Sequence, residues 1–361
     1  MRLLPDFFVN TLLPRVSVLR GWLREDIFDY YGRLLHPQLQ LQRVFARVVA
    51  KRLEGDSTVV LTLAPSRHWR GMQAGQHVPL TVEVGGIRHT RYYSPMQQTN
   101  GLIEIGAKRQ ADGLVSNWLH AQLQVGQYIE LGQASGAFTL SSPTPTKLLM
   151  LAAGSGITPL LAMLRGLQAK GQASDAVLVY YARHRRELAF IDELRALPGL
   201  AVHVCLTGEA PLAGEHAGRI SADQLQALVP DAAQRHAYAC GSFGFTQAVA
   251  AIAAQGGVAS LAQESFSPPV WNETDAATVE LTFTRSGQQV SGQTGLDLLS
   301  QAEANGLQPA FGCRMGICNT CTCHKREGAV RDLRTGQISL EPDETIRLCI
   351  SAPVGPVVLD L

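Results

Sequence analysis

The sequence predicts a multidomain protein: a helical N-terminal extension, an antiparallel β-barrel, a doubly wound α/β domain and a C-terminal α+β domain. Three observations carry this. The apolar pattern changes period along the chain, from helical spacing to short alternating strands, then to buried strands alternating with helices, then to strands with one helix. In the middle third a glycine turn follows directly on an apolar strand. Near the C-terminus three cysteines crowd one loop, and a fourth follows after 27 intervening residues. At 361 residues the chain is too long for one ordinary core. With 46% hydrophobic and 17% charged residues it reads as globular, and a net charge of +1 shows no nucleic-acid footprint.

Residues 1–38 form the helical extension. Phe7, Phe8, Leu12, Leu13, Val16, Leu19 and Leu23 recur at helical spacing, and Trp22, Phe28, Tyr30 and Tyr31 add aromatics. Two readings stay open: packing on the next domain, or contact with a partner or a membrane surface. No apolar run approaches the roughly 18 residues of a spanning helix, and no small-residue cleavage site follows an apolar core. Cysteine chemistry without an export signal points to the cytoplasm, with peripheral contact at the inner membrane left open through the extension.

Residues 39–142 carry the barrel. Phe45–Ala50 and Thr58–Leu63 alternate, and turns hold Gly55, Gly75, Gly85 and Gly86. Within this stretch lies Arg91-Tyr92-Tyr93-Ser94-Pro95. About twenty residues on, Gly113-Leu114-Val115-Ser116-Asn117-Trp118-Leu119 reads as a glycine turn opening a helix, an anion-binding arrangement.

Residues 143–267 alternate strand and helix. The strand from Lys147 runs into Gly154-Ser155-Gly156-Ile157-Thr158-Pro159 and a helix over Leu160–Ala169. Further strands start at Ala176, Ala201 and His236. The glycine turn lacks the third glycine of the dinucleotide fingerprint and could be a packing turn, but a strand's C-terminal end is where the dinucleotide crevice forms. Arg183-His184-Arg185-Arg186 suits a phosphate dianion; the alternative is a solvated basic turn.

Residues 268–276, with their prolines and polar neighbours, read as a linker, and 277–361 form the last domain. A hairpin over Thr278–Thr284 and Gln288–Gly292 precedes a helix over Leu296–Asn305. Cys313, Cys318 and Cys321 then stand at C-x4-C-x2-C spacing, with Cys349 supplied by a strand over Thr345–Cys349. This is the plant-type [2Fe-2S] arrangement. Gly312 and Gly316 let the backbone wrap the core and aim amides at sulfur. A structural zinc site usually pairs two C-x2-C units, and only one is present. Cys323 reads as a spare thiol.

Taken together, these motifs resemble the ferredoxin–NADP reductase superfamily with a ferredoxin domain fused at the C-terminus, over residues 39–361. The resemblance implies an FAD-binding barrel, an NAD(P)-binding domain and a β-grasp ferredoxin domain. Arg91 would pair with the flavin pyrophosphate, Tyr93 pack on the ring system and Ser94 lie near the reactive nitrogen. Gly113, Leu114, Val115 and Ser116 match the second phosphate-binding turn. Gly154, Gly156, Thr158 and Pro159 match the nicotinamide-dinucleotide turn, and Arg183, leading Arg185 and Arg186, the ribose 2′-phosphate site. Cys240-Gly241 match the C-G pair beside the nicotinamide, with Ser242 in place of proline. Glu264 and Phe266 match the segment ending the nucleotide domain, with Glu264 near the flavin. Ser94, Cys240 and Glu264 are thus the implied catalytic set.

Relatives with the same module order use FMN in some cases, but the Gly113–Ser116 turn resembles FAD-binding members. NADPH would be the donor. A flavin accepting two electrons and releasing one at a time explains why all three modules share a chain. The N-terminal extension and the entry from Leu39 resemble bacterial reductases serving fatty acyl desaturases. A ring-hydroxylating or other oxygenase is the alternative recipient. A redox-sensing module, and a flavoenzyme acting on a small molecule, are the readings from other classes.

Overall fold

The computed structural model describes residues 29, 31–32, 36, 40, 42–172, 175–268 and 277–361. Most of the expected N-terminal extension and nearly all of the expected linker therefore lie outside the described residues. Of the aromatic cluster at the start of the chain only Tyr31 is described, and it is exposed. Among the described residues no helix is long and apolar enough to cross a membrane. The chain divides into two compact units, Met1–Cys240 with Ala251–Gln263, and Gly241–Ala250 with Glu264–Leu361.

The first unit opens with β1 (Val44–Glu54), β2 (Thr58–Pro65), β3 (Val78–Val84), β4 (Ile87–Tyr93), β5 (Pro95–Gln97), β6 (Ile103–Lys108), helix α1 (Leu114–Ala121) and β7 (Tyr128–Leu131). The strands form one seven-stranded antiparallel sheet in the order β4-β3-β7-β1-β2-β6-β5. It curls round a core of alternate residues: Val44, Ala46 and Val48 from β1, Leu61 and Leu63 from β2, Leu80 and Val82 from β3, Ile103 and Ile105 from β6. Period-2 alternation puts these side chains on one face. Each such aliphatic side chain contributes about 1.5–3 kcal/mol on burial. Helix α1 closes this barrel with Val115 and Leu119.

The doubly wound part comprises β8 (Lys147–Ala153), α2 (Ile157–Ala169), β9 (Asp175–Ala182), α3 (Ile191–Ala196), β10 (Leu200–Leu206), β11 (Glu215–Ala217), α4 (Ala222–Leu228), β12 (His236–Gly241), α5 (Phe243–Ala254) and β13 (Ser260–Ser265). Strand order is β11-β10-β9-β8-β12-β13. The pairs β8–β9, β9–β10, β10–β11 and β8–β12 are parallel. Strand β9 is buried along nearly its whole length, as a strand covered on both faces must be. Order reverses at β8, so the crevice opens where β8 ends. Helix α2 starts at Ile157, three residues earlier than the sequence suggests, because Pro159 sits in its first turn, where a missing N–H is harmless.

Barrel and α/β sheet are joined by a buried charge network that the sequence does not announce. Glu104 on β6 is 2% exposed. It accepts from Arg52 of β1 and, at 2.8 Å, from Arg165 of α2. Arg165 also grips Glu193 of α3 through two bonds of 2.6 and 2.7 Å.

The second unit contains β14 (Thr278–Phe283), β15 (Gln288–Gln293), α6 (Leu298–Ala304), β16 (Thr322–Asp332), β17 (Ile338–Ser339), β18 (Glu344–Arg347) and β19 (Ser351–Leu359). The sheet runs β15-β14-β19-β16-β17, with β18 also on β16. Strand β14 is antiparallel to β15 and parallel to β19. Asp297 caps α6 by accepting from the Ser300 amide at 2.8 Å, and Leu298, Leu299 and Ala302 face the core. Cys349 does not stand in a strand. It sits on a single helical turn, Leu348–Ile350, between β18 and β19, which swings its thiol off the sheet toward the cysteine loop.

Candidate functional site

The Arg91–Ser94 motif occupies the end of β4 and the step into β5. Arg91 lies opposite Leu80, and Tyr93 opposite Val78. Arg91 is exposed, with Nη1 donating to the Thr90 carbonyl at 2.8 Å. Tyr93 packs on the barrel core. Burial pushes its phenol up to about 12 against the opposing pull of the Arg91 charge. Ser94 is 2% exposed, and its Oγ has no hydrogen-bond partner among the described residues. A buried hydroxyl without a partner costs about 1–3 kcal/mol, so this one fits a polar group brought in by a bound flavin.

The second expected phosphate turn is pinned onto α1. Ser116 Oγ accepts from the Gln110 amide and donates to the Gly113 carbonyl, both at 3.2 Å. Asn117 Nδ2 donates to the Gln110 carbonyl at 3.1 Å. A Cβ on Gly113 would lie 2.4 Å from Ser116 Oγ and 2.7 Å from Gln110 Cβ, so a larger residue there would push out the hydroxyl that pins the turn. The amides of Leu114, Val115 and Ser116 are those a helix start leaves without intrahelical acceptors.

At the switch point, Gly154–Gly156 forms a helical turn between β8 and α2. Gly154 has φ +56°. The fully buried Tyr180 donates its hydroxyl to the Gly154 carbonyl at 3.2 Å, and Thr158 Oγ1 donates to the Ser155 carbonyl at 3.0 Å. Cys240, buried at the end of β12, pairs in register with Ala152 of β8, which places it one strand from this turn. Gly241 and Phe266 belong to the second unit, where the Phe266 amide donates to the Gly241 carbonyl at 2.7 Å. Glu264, also in that unit, is 5% exposed.

The arginine run after β9 divides. Arg183 and Arg186 are exposed. Arg185 is taken: it holds Glu215 through Nε at 2.7 Å and Nη2 at 2.5 Å, with Glu209 at 3.5 Å. The Arg185 guanidinium holds the Glu215 carboxyl down at about 2. Sequence could not show this, because Glu209 and Glu215 lie beyond the next strand. Sequence reasoning also missed Lys108. Its Nζ lies 3.7 Å from where a Gly154 Cβ would stand and 2.6 Å from Glu187.

In the cysteine loop, left-handed backbone falls at Gly316 (φ +74°), Arg314 (+55°) and Asn319 (+57°) rather than at Gly312. Cys313 Sγ accepts from the amides of Met315 and Ile317 at 3.3 Å and Cys318 at 3.4 Å; Cys318 Sγ accepts from Cys313 at 3.2 Å and Thr320 at 3.5 Å. No group of three or more His, Cys, Asp or Glu among the described residues surrounds a single-ion position. The four thiols instead meet in a chain, Cys318 to Cys313 to Cys349 to Cys321. The neighbouring Cys318 and Cys349 thiols, then the amides of Met315 and Ile317, hold Cys313 well below the ordinary thiol range. Amide donors aimed at clustered sulfurs fit an anionic iron–sulfur core. Cys323 stays outside the set: its thiol is buried on β16 and donates to the His324 carbonyl at 3.6 Å.

Profiles of three known domains match the chain in this order: an oxidoreductase FAD-binding domain over residues 46–140, an oxidoreductase NAD-binding domain over 150–251 and a 2Fe-2S iron-sulfur cluster binding domain over 281–354. An NADPH oxidoreductase of Mycobacterium tuberculosis is 32% identical, covering 92% of this chain and 88% of its own. A glycine betaine monooxygenase reductase subunit of Chromohalobacter salexigens is 30% identical, covering 79% of this chain and 86% of its own. Phthalate dioxygenase reductase has the same fold, with a TM-score of 0.60 at 21% identity over 88% of this chain and 98% of its own.

Proposed function

We propose, for a chain that belongs to the ferredoxin–NADP reductase superfamily and carries a C-terminal [2Fe-2S] domain, that the electron acceptor is a non-haem iron oxygenase. That the chain is an NAD(P)H-dependent oxidoreductase using FAD and a [2Fe-2S] cluster follows from its three domains and its relatives. The oxygenase reading draws on the relative that is a monooxygenase reductase subunit; the relatives described above include no desaturase partner. Bound FAD would supply the conversion between a two-electron hydride donor and the single electrons that a [2Fe-2S] cluster takes.

The chain's own residues have these roles. Arg91 and the first-turn amides of α1 hold phosphate at two points, by charge and by helix-start N–H groups. Tyr93 offers a flat face to the ring, and Ser94 Oγ a hydrogen bond in a dry setting where such a bond counts most. Gly154 and Gly156 let the dinucleotide approach the backbone, with Lys108 as a cation beside that turn. Cys240 keeps the nicotinamide end of the crevice small and apolar, and Glu264 supplies a buried carboxyl. Cys313, Cys318, Cys321 and Cys349 hold the cluster. Arg183 and Arg186 meet the 2′-phosphate of NADPH, with Arg185 serving its own ion pair.

The observation that carries this reading is the thiol set, with its backbone amides aimed at sulfur, on the same chain as a dinucleotide crevice. The test is NADPH-driven turnover with purified non-haem iron oxygenase components. Brisk cytochrome c reduction with no transfer to any such oxygenase would refute the acceptor class. Cytochrome c reduction that survives loss of the cluster would refute the electron path.

A further inference from the structure

Two guanidinium groups converge on the cysteine loop. Arg347 ends β18 and Arg334 lies in the turn after β16, and both donate to the Gly316 carbonyl, Arg334 at 3.4 Å. Gly316 stands between Cys313 and Cys318. It is seated so tightly on Ile350 that a Cβ would lie 2.7 Å from that side chain. The Gly316 Cα is thus packed on Ile350, and its carbonyl is gripped by two cations.

Neither arginine has a carboxylate partner among the described residues. Others in this unit do: Arg314 pairs with Glu303 at 2.5 Å, and Arg326 with Asp360 at 3.0 Å. Asp332, near Arg334 in sequence, is occupied otherwise. Its Oδ1 accepts from the backbone amides of Arg334 and Thr335 at 2.8 and 3.0 Å. The Arg334 carbonyl accepts from Gln247 Nε2 at 3.0 Å. The turn is therefore built to present the Arg334 side chain. The carbonyl oxygen has two lone pairs and can accept both bonds, but it is neutral and does not offset two positive charges. Two half-buried cations side by side repel each other, and an anion within the loop would offset that. A diiron core on four thiolates is such an anion, and it gains a further negative charge on reduction.

We infer that Arg334 and Arg347 form a cationic clamp on the Gly316 carbonyl that raises the reduction potential of the cluster. The inference rests on Cys313, Cys318, Cys321 and Cys349 being its ligands. A nearby cation stabilises the reduced form more than the oxidised one, because the reduced form carries more negative charge.

The experiment is an EPR-monitored redox titration of the full-length holoprotein carrying Arg334→Gln, Arg347→Gln or Arg347→Lys. Glutamine keeps a donor and removes the charge; lysine keeps the charge and loses the planar fork. In each glutamine variant the one-electron equilibrium should move against reduction by about tenfold, about 59 mV. Arg347→Lys should stay within about threefold of the wild type, about 28 mV. Glutamine variants with full cluster absorbance and wild-type potential would overturn the clamp. If Arg347→Gln assembles no cluster, Arg334→Gln decides alone: a wild-type potential there overturns the inference, and a lowered one supports it. Failure of the ligand assignment looks different, since a cluster would then persist in Cys349→Ser.

Discussion

Single side chains in this protein are placed in ways that separate chemistry from stability. Ser94 is the sharpest case. Its buried Oγ has no partner among the described residues, so removing it relieves a cost of about 1–3 kcal/mol in the flavin-free protein. Ser94→Ala should leave the apoprotein's melting temperature unchanged or raised. It should slow flavin reduction in stopped flow by about tenfold to a hundredfold. A variant less stable and equally fast would refute the assignment. The cysteines divide in the same manner. Serine at 313, 318, 321 or 349 should bleach the visible bands and abolish cytochrome c reduction, while ferricyanide reduction through the flavin survives. Cys323→Ser should keep the bands, because that thiol is packed on β16.

At the scale of elements, the turn after β9 leaves Arg183 and Arg186 exposed and ties Arg185 into an ion pair. Arg183→Ala should lower kcat/KM for NADPH by about tenfold to a hundredfold, the worth of a charge-assisted bond to phosphate, with little change for NADH. Arg185→Ala should act on folding instead, since Glu215 and Glu209 hold it. Equal losses with both nucleotides in Arg183→Ala would mean that the turn does not read the 2′-phosphate. Strand β16 has a buried cation of its own. Lys325 is 0% exposed, bonds the Gly328 carbonyl at 2.8 Å and pairs with Glu344 of β18 at 2.7 Å. Glu344→Ala strands that charge and should destabilise the second unit by about 3 kcal/mol, whereas Lys325→Met with Glu344→Leu removes both charges and should cost much less. Chemical denaturation of the two variants separates these outcomes.

At the scale of the whole molecule, the Glu104 network holds the barrel against the α/β sheet. Burial works against the Glu104 carboxylate, but the bonds from Arg165 and Arg52 outweigh it and hold its pKa below the usual range. The sign follows from linkage. A carboxylate whose folded pKa is depressed contributes stability in full above its unfolded value of about 4.3 and loses it as pH falls toward the folded one. Thermal stability of the wild type should therefore weaken as pH falls below about 4.3, more steeply than that of Glu104→Gln. Glu104→Ala at neutral pH should cost about 3 kcal/mol, because Arg165 loses one of its two acids in a buried setting. Parallel acid profiles for wild type and Glu104→Gln would show that the network is not the coupling.

The order of modules, the cysteine spacing and the glycine turns were legible in the sequence because each is local: a loop of eleven residues or a strand-to-helix step fixes its own backbone. Periodicity likewise separated the antiparallel strands from the buried parallel ones, since each obeys its own burial rule. Tertiary structure decided what depends on partners distant in sequence. Arg185 is removed from its run by Glu215, 30 residues on. Lys108 reaches the turn at Gly154 from another sheet. Arg334, in the turn after β16, and Arg347, at the end of β18, meet at Gly316. Charge pairing is set by distance in space, and a one-dimensional pattern has no measure of that distance until the sheets bring the strands together.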